Sequence, residues 1–282
     1  MKGWLIYRKQ EAERNKFAVT MYHKACARRK IHIQLKYLEE LSPETAGSVS
    51  AFNNKKTSLP DFVIMRADAP FFSATLEKSG CRVFNSAQVS ALANDKLKTI
   101  QMAKSLGIAT PITCVATKTD AVAVGARLGY PLVMKPRDGH GGQDVLWIDS
   151  EAMLVKILPT FHHESFLLQK PVSSLGQDLR VYVIGGQVVV AMLRSRDDDF
   201  RSNYCLGGHA SIHSLTPEEQ TIVGKITEAL PMDFAGIDLL YHEGQPVLSE
   251  IEDVVGARMV YHLTNLDIID MYVEHIATQL GL

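Results

Sequence analysis

The chain has 282 residues, 46% hydrophobic and 22% charged, with 30 Lys+Arg against 31 Asp+Glu. That is a globular composition with room for roughly two packed domains of about 100–200 residues, and its near-neutral balance excludes a protein that holds nucleic acid through bulk charge. Cys26, Cys81, Cys114 and Cys205 form no Cys-x-x-Cys pair, so neither a disulfide framework nor a zinc site is expected. No apolar run approaches the ~18 residues of a membrane span. The opening run Met1–Tyr7 meets Arg8 too early for a signal peptide, so a cytoplasmic protein without membrane or nucleic-acid partners is expected.

In chain order, Trp4–Tyr7 reads as a short buried strand, Phe17–Arg29 as a helix and Ile31–Leu35 as a second, alternating strand. Ser42–Leu59 is polar and reads as a loop with room for a hairpin. Asp61–Met65 resumes a buried strand, Leu76–Gly80 closes a helix at glycine, and Cys81–Phe84 is a further strand. This alternation predicts an open, mostly parallel α/β sheet over residues 1–93. A second unit opens at residue 94, where Asn94 or Asp95 caps a helix that runs to Leu106 and stops at Gly107. A strand near Ile112–Ala116, a helix over Asp120–Leu128 and the apolar run Pro131–Pro136 follow. Phe166–Gln169, Val181–Ile184 and Val188–Arg194 read as antiparallel strands, the last two joined at Gly185–Gly186. Thr216 and Glu219 form a capping-box pattern before another helix, and a hairpin and a terminal helix, Ile268–Leu280, close the chain.

The hairpin is the most informative stretch. Gly236–Tyr241 and Val247–Asp253 flank a connection containing Gly244, and period-2 alternation puts Asp238 on one face of the first strand and Glu250 and Glu252 together on one face of the second. With Gly244 at the turn, position 238 lies opposite 250 or one residue away. Like charges across a strand pair repel, so in register the three carboxylates need a cation, and a hard divalent ion suits them. An edge hairpin whose acids face water is the alternative. Lys135 ends an apolar strand before Gly139, Gly141 and Gly142; glycines let successive N–H groups surround a phosphate. A plain hairpin turn fits that segment equally, since it is neither a Walker A loop nor a Gly-x-Gly-x-x-Gly fingerprint. Arg180, Arg194, Arg196 and the run Asp199-Phe200-Arg201-Ser202-Asn203 make a cationic cluster suited to forked carboxylate or phosphate recognition, or else a charge-balanced solvated loop. The histidines show no helix-face spacing that also supplies a carboxylate, so they predict no zinc site.

Taken in order, these segments form one pattern. Asn94-Asp95-Lys96, Pro131–Lys135, Gly139–Gly142, Gln169–Val172, Gly176–Arg180, Asp199–Asn203 with Gly207-Gly208, Ala235–Leu240 and Ser249–Glu252 together resemble the ATP-grasp enzymes, and among them the RimK-type carboxylate–amine ligases, over about residues 60 to 282. The resemblance implies an α/β (α+β) fold: an N-terminal open sheet (1–93), then two α+β lobes (94–170 and 171–282) that clamp a nucleotide. It implies ATP and magnesium, or manganese in its place, as cofactors. Lys96 and Lys135 match the lysines on the phosphates, and Gln169, Lys170, Pro171 and Val172 the linker whose backbone touches adenine. Asp178 matches the position near the ribose, and Arg201, Ser202 and Asn203 the segment beside the phosphates and the incoming carboxylate. Gly139 and Gly142 belong to the phosphate loop, Arg194 and Arg201 to the set that stabilises the transferring group, and Asp238, Glu250 and Glu252 to the metal positions.

The implied activity joins a carboxylate to an amine through an acyl phosphate, releasing ADP and phosphate, with small molecules or peptides as partners and room for a homo-oligomer. Glutamate or another amino acid is an implied substrate. Four departures stand out: Lys170 where the linker is usually acidic, Glu252 where the third ligand is usually asparagine, Asp144 where the loop often ends in glycine, and Asp253–Arg258 where the acceptor-side segment is usually rich in serine and asparagine. They leave the acceptor unassigned. A nucleotide-binding sensor or subunit without turnover is the competing class.

Overall fold

A computed structural model describes residues 1–43, 49–51, 58–139, 144–196, 198–201 and 208–282. The N-terminal unit runs β1 (Lys2–Tyr7), α1 (Lys9–Arg14), α2 (Lys16–Arg28), β2 (His32–Tyr37), a small antiparallel pair β3 (Leu41–Pro43) and β4 (Val49–Ala51), then β5 (Phe62–Met65), α3 (Pro70–Lys78) and β6 (Arg82–Phe84). Its main sheet has the order β2-β1-β5-β6 with every pairing parallel, as the strand–helix alternation predicts.

Two helices follow. In α4 (Ala87–Ala93) the Ser86 side chain caps the first turn; in α5 (Lys96–Ser105) Asp95 accepts from the N–H groups of Leu97 and Lys98. Asn94, the alternative cap, ends α4 instead. The middle sheet is built from β7 (Thr113–Thr117), then, after α6 (Ala121–Leu128), β8 (Leu132–Pro136) and β9 (Leu146–Ile148), and, after α7 (Glu151–Ile157), β10 (Ser165–Gln169). Its order is β7-β10-β8-β9, all antiparallel. The sequence grouped Phe166–Gln169 with the two strands that follow it. Instead, β10 sits in the centre of the middle sheet, because every one of its residues pairs with β7 and the last four pair with β8 as well.

The large sheet comprises β11 (Gln177–Ile184), β12 (Gln187–Ser195), β13 (His209–His213), β14 (Phe234–His242) and β15 (Gln245–Glu252), in the order β13-β12-β11-β14-β15; α8 (Pro217–Ala229) lies between β13 and β14, and α9 (Arg258–Leu263) and α10 (Ile268–Gln279) close the chain. The Thr216/Glu219 capping box forms as the sequence pattern requires. Gly244, at φ +76°, makes the turn of the β14–β15 hairpin.

Alternation along β11 explains how this sheet serves three purposes. Leu179, Val181 and Val183 point to a core shared with Val223 and Ile226 of α8 and with Val89 and Ala103 from α4 and α5. On the other face, Tyr182 and Ile184 join Leu5, Phe62, Phe84 and Tyr272 in a core that includes the N-terminal sheet and α10. Asp178 and Arg180 continue that face toward the middle lobe. Arg28, the last residue of α2, and Arg29, just after it, fasten the first unit to Asp267, Asp270 and Glu274 on or beside α10. Among the described residues no helix is long and apolar enough to cross a membrane.

Gly176, at φ +68°, donates its N–H to Phe200 O at 3.0 Å and accepts from Arg196 N at 2.8 Å, fixing the start of β11 to the 196–201 segment. A Cβ at this position would meet the carbonyl oxygens of Arg196 and Asp199. Gly176→Ala is therefore expected to destabilise the protein by about 1–3 kcal/mol, read as a lower urea midpoint at unchanged slope; an unchanged midpoint would contradict this packing.

Candidate active site

Between the middle and large sheets lies a cleft, and the residues that line it come from both. Lys135, the penultimate residue of β8, is 6% exposed and donates to Gln169 Oε1 at 3.1 Å, while Gln169 donates in turn to Thr113 Oγ1 at 2.8 Å. Three strands of one sheet thus fix a single ammonium group. Burial pushes the Lys135 pKa down to about 8; nearby Lys96 adds to the shift and Glu250 opposes it. Lys96, at the start of α5, donates to Gly139 O at 2.8 Å and lies 3.4 Å from Glu250 Oε2. Its backbone N–H reaches Arg137 O, and Arg137 pairs with the cap Asp95 at 2.7 Å, so the glycine-loop entrance is tied to the helix N-terminus.

On the large sheet, the register places Arg180 opposite Asp238, Asp178 opposite Arg194, and Asp238 opposite Glu250. Arg180 grips Asp238 with two bonds, Nε–Oδ1 at 2.8 Å and Nη2–Oδ2 at 2.7 Å. Arg194 adds a bond to Asp238 Oδ2 at 2.9 Å and holds Asp178 by a second forked pair. Arg180 also stands 2.7 Å from Glu252 Oε2, an ion contact outside hydrogen-bonding geometry, since that oxygen has no hydrogen-bond partner. Burial by itself would raise the Asp238 pKa, but the two guanidiniums outweigh it and hold the carboxyl at about 2. In-register pairing sets Asp238 opposite Glu250, while Glu252 turns to Arg180 and a neighbouring cavity, so two of the three expected carboxylates share the cleft and the protein's own cations balance all three.

The cleft collects most of the residues singled out in the sequence. Lys96, Lys135, Gly139, Gln169, Pro171 and Val172 line it from the middle lobe, and Asp178, Arg194, Arg201, Asp238 and Glu250 from the large one. Lys170 does not line it: its ammonium turns back to Gly129 O at 2.9 Å, which is why an acidic linker residue can be replaced there without altering the cleft wall. Glu252 faces a neighbouring cavity instead. Gly142, Ser202 and Asn203 lie outside the described residues. Arg201 is held by Asp199 at 2.8 Å, and Phe200 packs on Trp147 at 5.4 Å between ring centres, bringing the cationic segment against the middle of β9. Sequence reasoning missed the apolar wall of Val133, Leu175 and Leu240, and it left Arg180 unassigned. The spacing Asp178-x-Arg180 was the available signal, because it puts both groups on one strand face.

An apolar wall, two lysines and a forked arginine network suit an adenine ring followed by phosphates. For magnesium the fit is with two carboxylates. Among the described residues no three His, Cys, Asp or Glu side chains stand together as a complete metal site. Asp238 already accepts three bonds, which leaves about one of its four lone-pair positions, and Glu250 makes one ion-pair contact among the described residues, with Lys96. Magnesium accepts one or two carboxylates when phosphate oxygens and water complete its shell, so these residues fit it.

A cleft of this kind between two α+β lobes defines a nucleotide-clamping ligase of the ATP-grasp class. The chain belongs to the RimK-like ATP-grasp family, whose model matches residues 93–276. It is 31% identical over 228 residues to a probable alpha-L-glutamate ligase of Methanococcoides burtonii, covering 77% of this chain and 76% of that protein. The fold matches that of a RimK-domain ATP-grasp protein from Sphaerobacter thermophilus, with TM-score 0.74 at 16% identity over 98% of this chain and 99% of the other. It also matches D-alanyl-alanine synthetase A from Vibrio cholerae, with TM-score 0.75 at 14% identity over 100% and 99% of the two chains. The family and fold class that the sequence motifs imply are both borne out.

Removing one member of a buried ion pair strands its partner, at about 3–5 kcal/mol. Asp238→Asn is expected to lower stability by that order at pH 7 in urea unfolding. A carboxylate whose folded pKa lies below its unfolded value stabilises fully above the unfolded value of about 4 and loses that contribution as pH falls to the folded one. With Asp238 held at about 2, the gap between wild type and variant should therefore narrow by about 2–3 kcal/mol between about pH 4 and 2; a gap constant with pH would contradict the assignment.

Proposed function

We propose that this protein is a cytoplasmic ATP- and magnesium-dependent ligase that joins a carboxylate to an amine, one of them an amino acid or peptide, and releases ADP and phosphate. The observation that carries this reading is the convergence of Lys96, Lys135, Arg194, Arg201, Asp238 and Glu250 on one cleft. The adenine would lie against Val133, Val172 and Leu240, with Gln169–Val172 beside it, and the ribose near Asp178. Lys135 and Lys96 would hold phosphate oxygens, with Gly139 and the rest of its loop covering them; Gly142, Ser202 and Asn203 are assigned to the same phosphate region by family pattern alone.

Asp238 and Glu250 would hold magnesium, which when bound neutralises phosphate charge. The attacking oxygen comes from the substrate carboxylate, so the chain supplies position and charge rather than a covalent nucleophile. Arg194, already fixed by Asp178 and Asp238, and Arg201 would stabilise charge spreading over the transferring phosphoryl group without reorganising. The acyl phosphate then meets an amine, forming the C–N bond as phosphate leaves.

Incubation with ATP, magnesium and a panel of amino acids is expected to yield ADP and phosphate only when both a carboxylate and an amine are present. AMP formation would contradict the mechanism, and nucleotide binding without turnover across the panel would favour the sensor class. Phosphate binding favours the protonated Lys135, whose pKa in the free protein is about 8. ATP affinity should accordingly be flat below that pH and fall above it, by at most about tenfold per pH unit. Lys135→Gln should bind more weakly and lose the pH dependence; a titration unchanged in shape would remove Lys135 from the phosphate site.

A further inference from the structure

A second cavity of about 340 Å³ opens between the N-terminal unit and the large sheet. Tyr7, Glu11, Arg14, Tyr22 and Arg66 enter it from one side, and Phe234, Glu252, Val255, Arg258 and Ile269 from the other. It is of a size for a small molecule, and it abuts the nucleotide cleft through Arg180, which touches Asp238 on the cleft side and Glu252 on this one.

Three of its polar atoms are buried without a hydrogen-bond partner: Glu11 Oε2, Arg66 Nε and Glu252 Oε2, the last held by the ion contact with Arg180. Native interiors rarely leave such groups unsatisfied, so their convergence on one cavity points to a ligand. Arg66 is 7% exposed; its terminal nitrogens reach two backbone carbonyls, Val255 O at 2.6 Å and Asp253 O at 3.4 Å, its guanidinium lies 5.7 Å from the centre of the Phe234 ring, and it has Tyr7 as a further hydrogen-bonding neighbour. Among the described residues it forms no ion pair. The nearby Asp253 carboxyl acts on it without touching it, and a ligand carboxylate would supply the direct ion pair that a buried cation favours. Arg14 and Arg258, exposed at the mouth, likewise form no ion pair among the described residues. Deeper in, Tyr22, Phe234, Val255 and Ile269 make an apolar wall, each at most 2% exposed.

We propose that this cavity binds the amine partner as a free amino acid with a large apolar side chain: the ammonium on Glu252 and Glu11, the carboxylate on Arg66 and Arg258, and the side chain on the apolar wall. This rests on the ligase reading above and names its substrate class. Glu252 places the amine at the boundary with the cleft, where an acyl phosphate forms. The ammonium loses one proton to solvent; the free amine attacks, the C–N bond forms, the bond from the acyl carbon to the phosphate oxygen breaks, and the second proton leaves with phosphate.

Charge selects the side chain. Arg14, Arg66 and Arg258 face Glu11, Asp68 and Glu252 around the cavity, a balanced set that suits a ligand of zero net charge. Asparagine at position 252, the usual residue of the family pattern, would leave an excess of positive charge and suit a dicarboxylate such as glutamate. Glu252 is thus a repulsive element against a third ligand charge, and Arg66 ties the divergent 253–258 segment into the same wall.

Calorimetric titration of the full chain with leucine, phenylalanine and glutamate, without nucleotide, tests the site. Leucine or phenylalanine should bind more tightly than glutamate. N-acetylated and amidated forms, and the variants Arg258→Ala and Glu252→Gln, should each bind about tenfold more weakly; Arg258→Ala, outside the nucleotide cleft, should leave magnesium–ATP affinity unchanged. Glu252→Asn should shift preference toward glutamate. A wild-type preference for glutamate, absence of saturable amino-acid binding, or a Glu252→Gln defect confined to magnesium–ATP would each overturn the proposal. Amino-acid binding here without any ligation would leave this site standing and remove the ligase reading; ligation without such binding would do the reverse.

Discussion

Two guanidiniums buried in a β-sheet are tolerable only where carboxylates reach them in forked geometry, and the large sheet is organised around that requirement. Arg194, Asp178, Asp238, Arg180 and Glu252 form a continuous alternation of charge across four strands. Asp178, Arg180, Arg194 and Asp238 are paired through cross-strand register rather than by a flexible loop, and Glu252 joins them by an ion contact to Arg180. Breaking one link would strand a neighbouring charge in low dielectric, which is why the network holds its shape before any ligand arrives. Preorganised charge of this kind is what phosphoryl transfer asks of a protein.

The rest of the molecule positions ligands against that network. From the opposite lobe, Lys135 is steered by Gln169 and Thr113, and Lys96 reaches across to Glu250. Arg180 stands between two cavities, one with lysines and an apolar wall and one with unsatisfied charges. The N-terminal unit contributes to the second chamber through Glu11, Arg14 and Arg66 and is fastened to α10 by Arg28 and Arg29. On the proposed amino-acid site, it would take part in substrate binding as well as supporting the fold.

Much of this was legible before the structure. Period-2 alternation located Asp238, Glu250 and Glu252 on shared faces because a strand has only two faces, and Gly244 fixed the register to within a residue. The parallel N-terminal sheet followed from strand–helix alternation. The place of β10 did not, since an apolar five-residue strand carries no label for its partners. The compensating cation was also read too narrowly. Like-charge crowding implies a counter-charge but does not say whether it comes from metal or protein, and Arg180, 58 positions before Asp238 in sequence, becomes its partner only through sheet pairing. α4 escaped notice because Ser86 and seven short residues give little periodicity. The second cavity could not be read from sequence at all: its walls come from α1, α2, the end of β5 and the 252–258 segment, which meet only in the folded chain.

The central claim is that a substrate carboxylate attacks ATP in the cleft bounded by Lys135, Arg194 and Asp238. The most direct test is to supply that substrate with ¹⁸O in its carboxylate and follow the label by mass spectrometry through one turnover. An acyl-phosphate route transfers one labelled oxygen to the released inorganic phosphate, alongside ADP. Label retained wholly in the product and unreacted substrate, or found in AMP, would contradict the account.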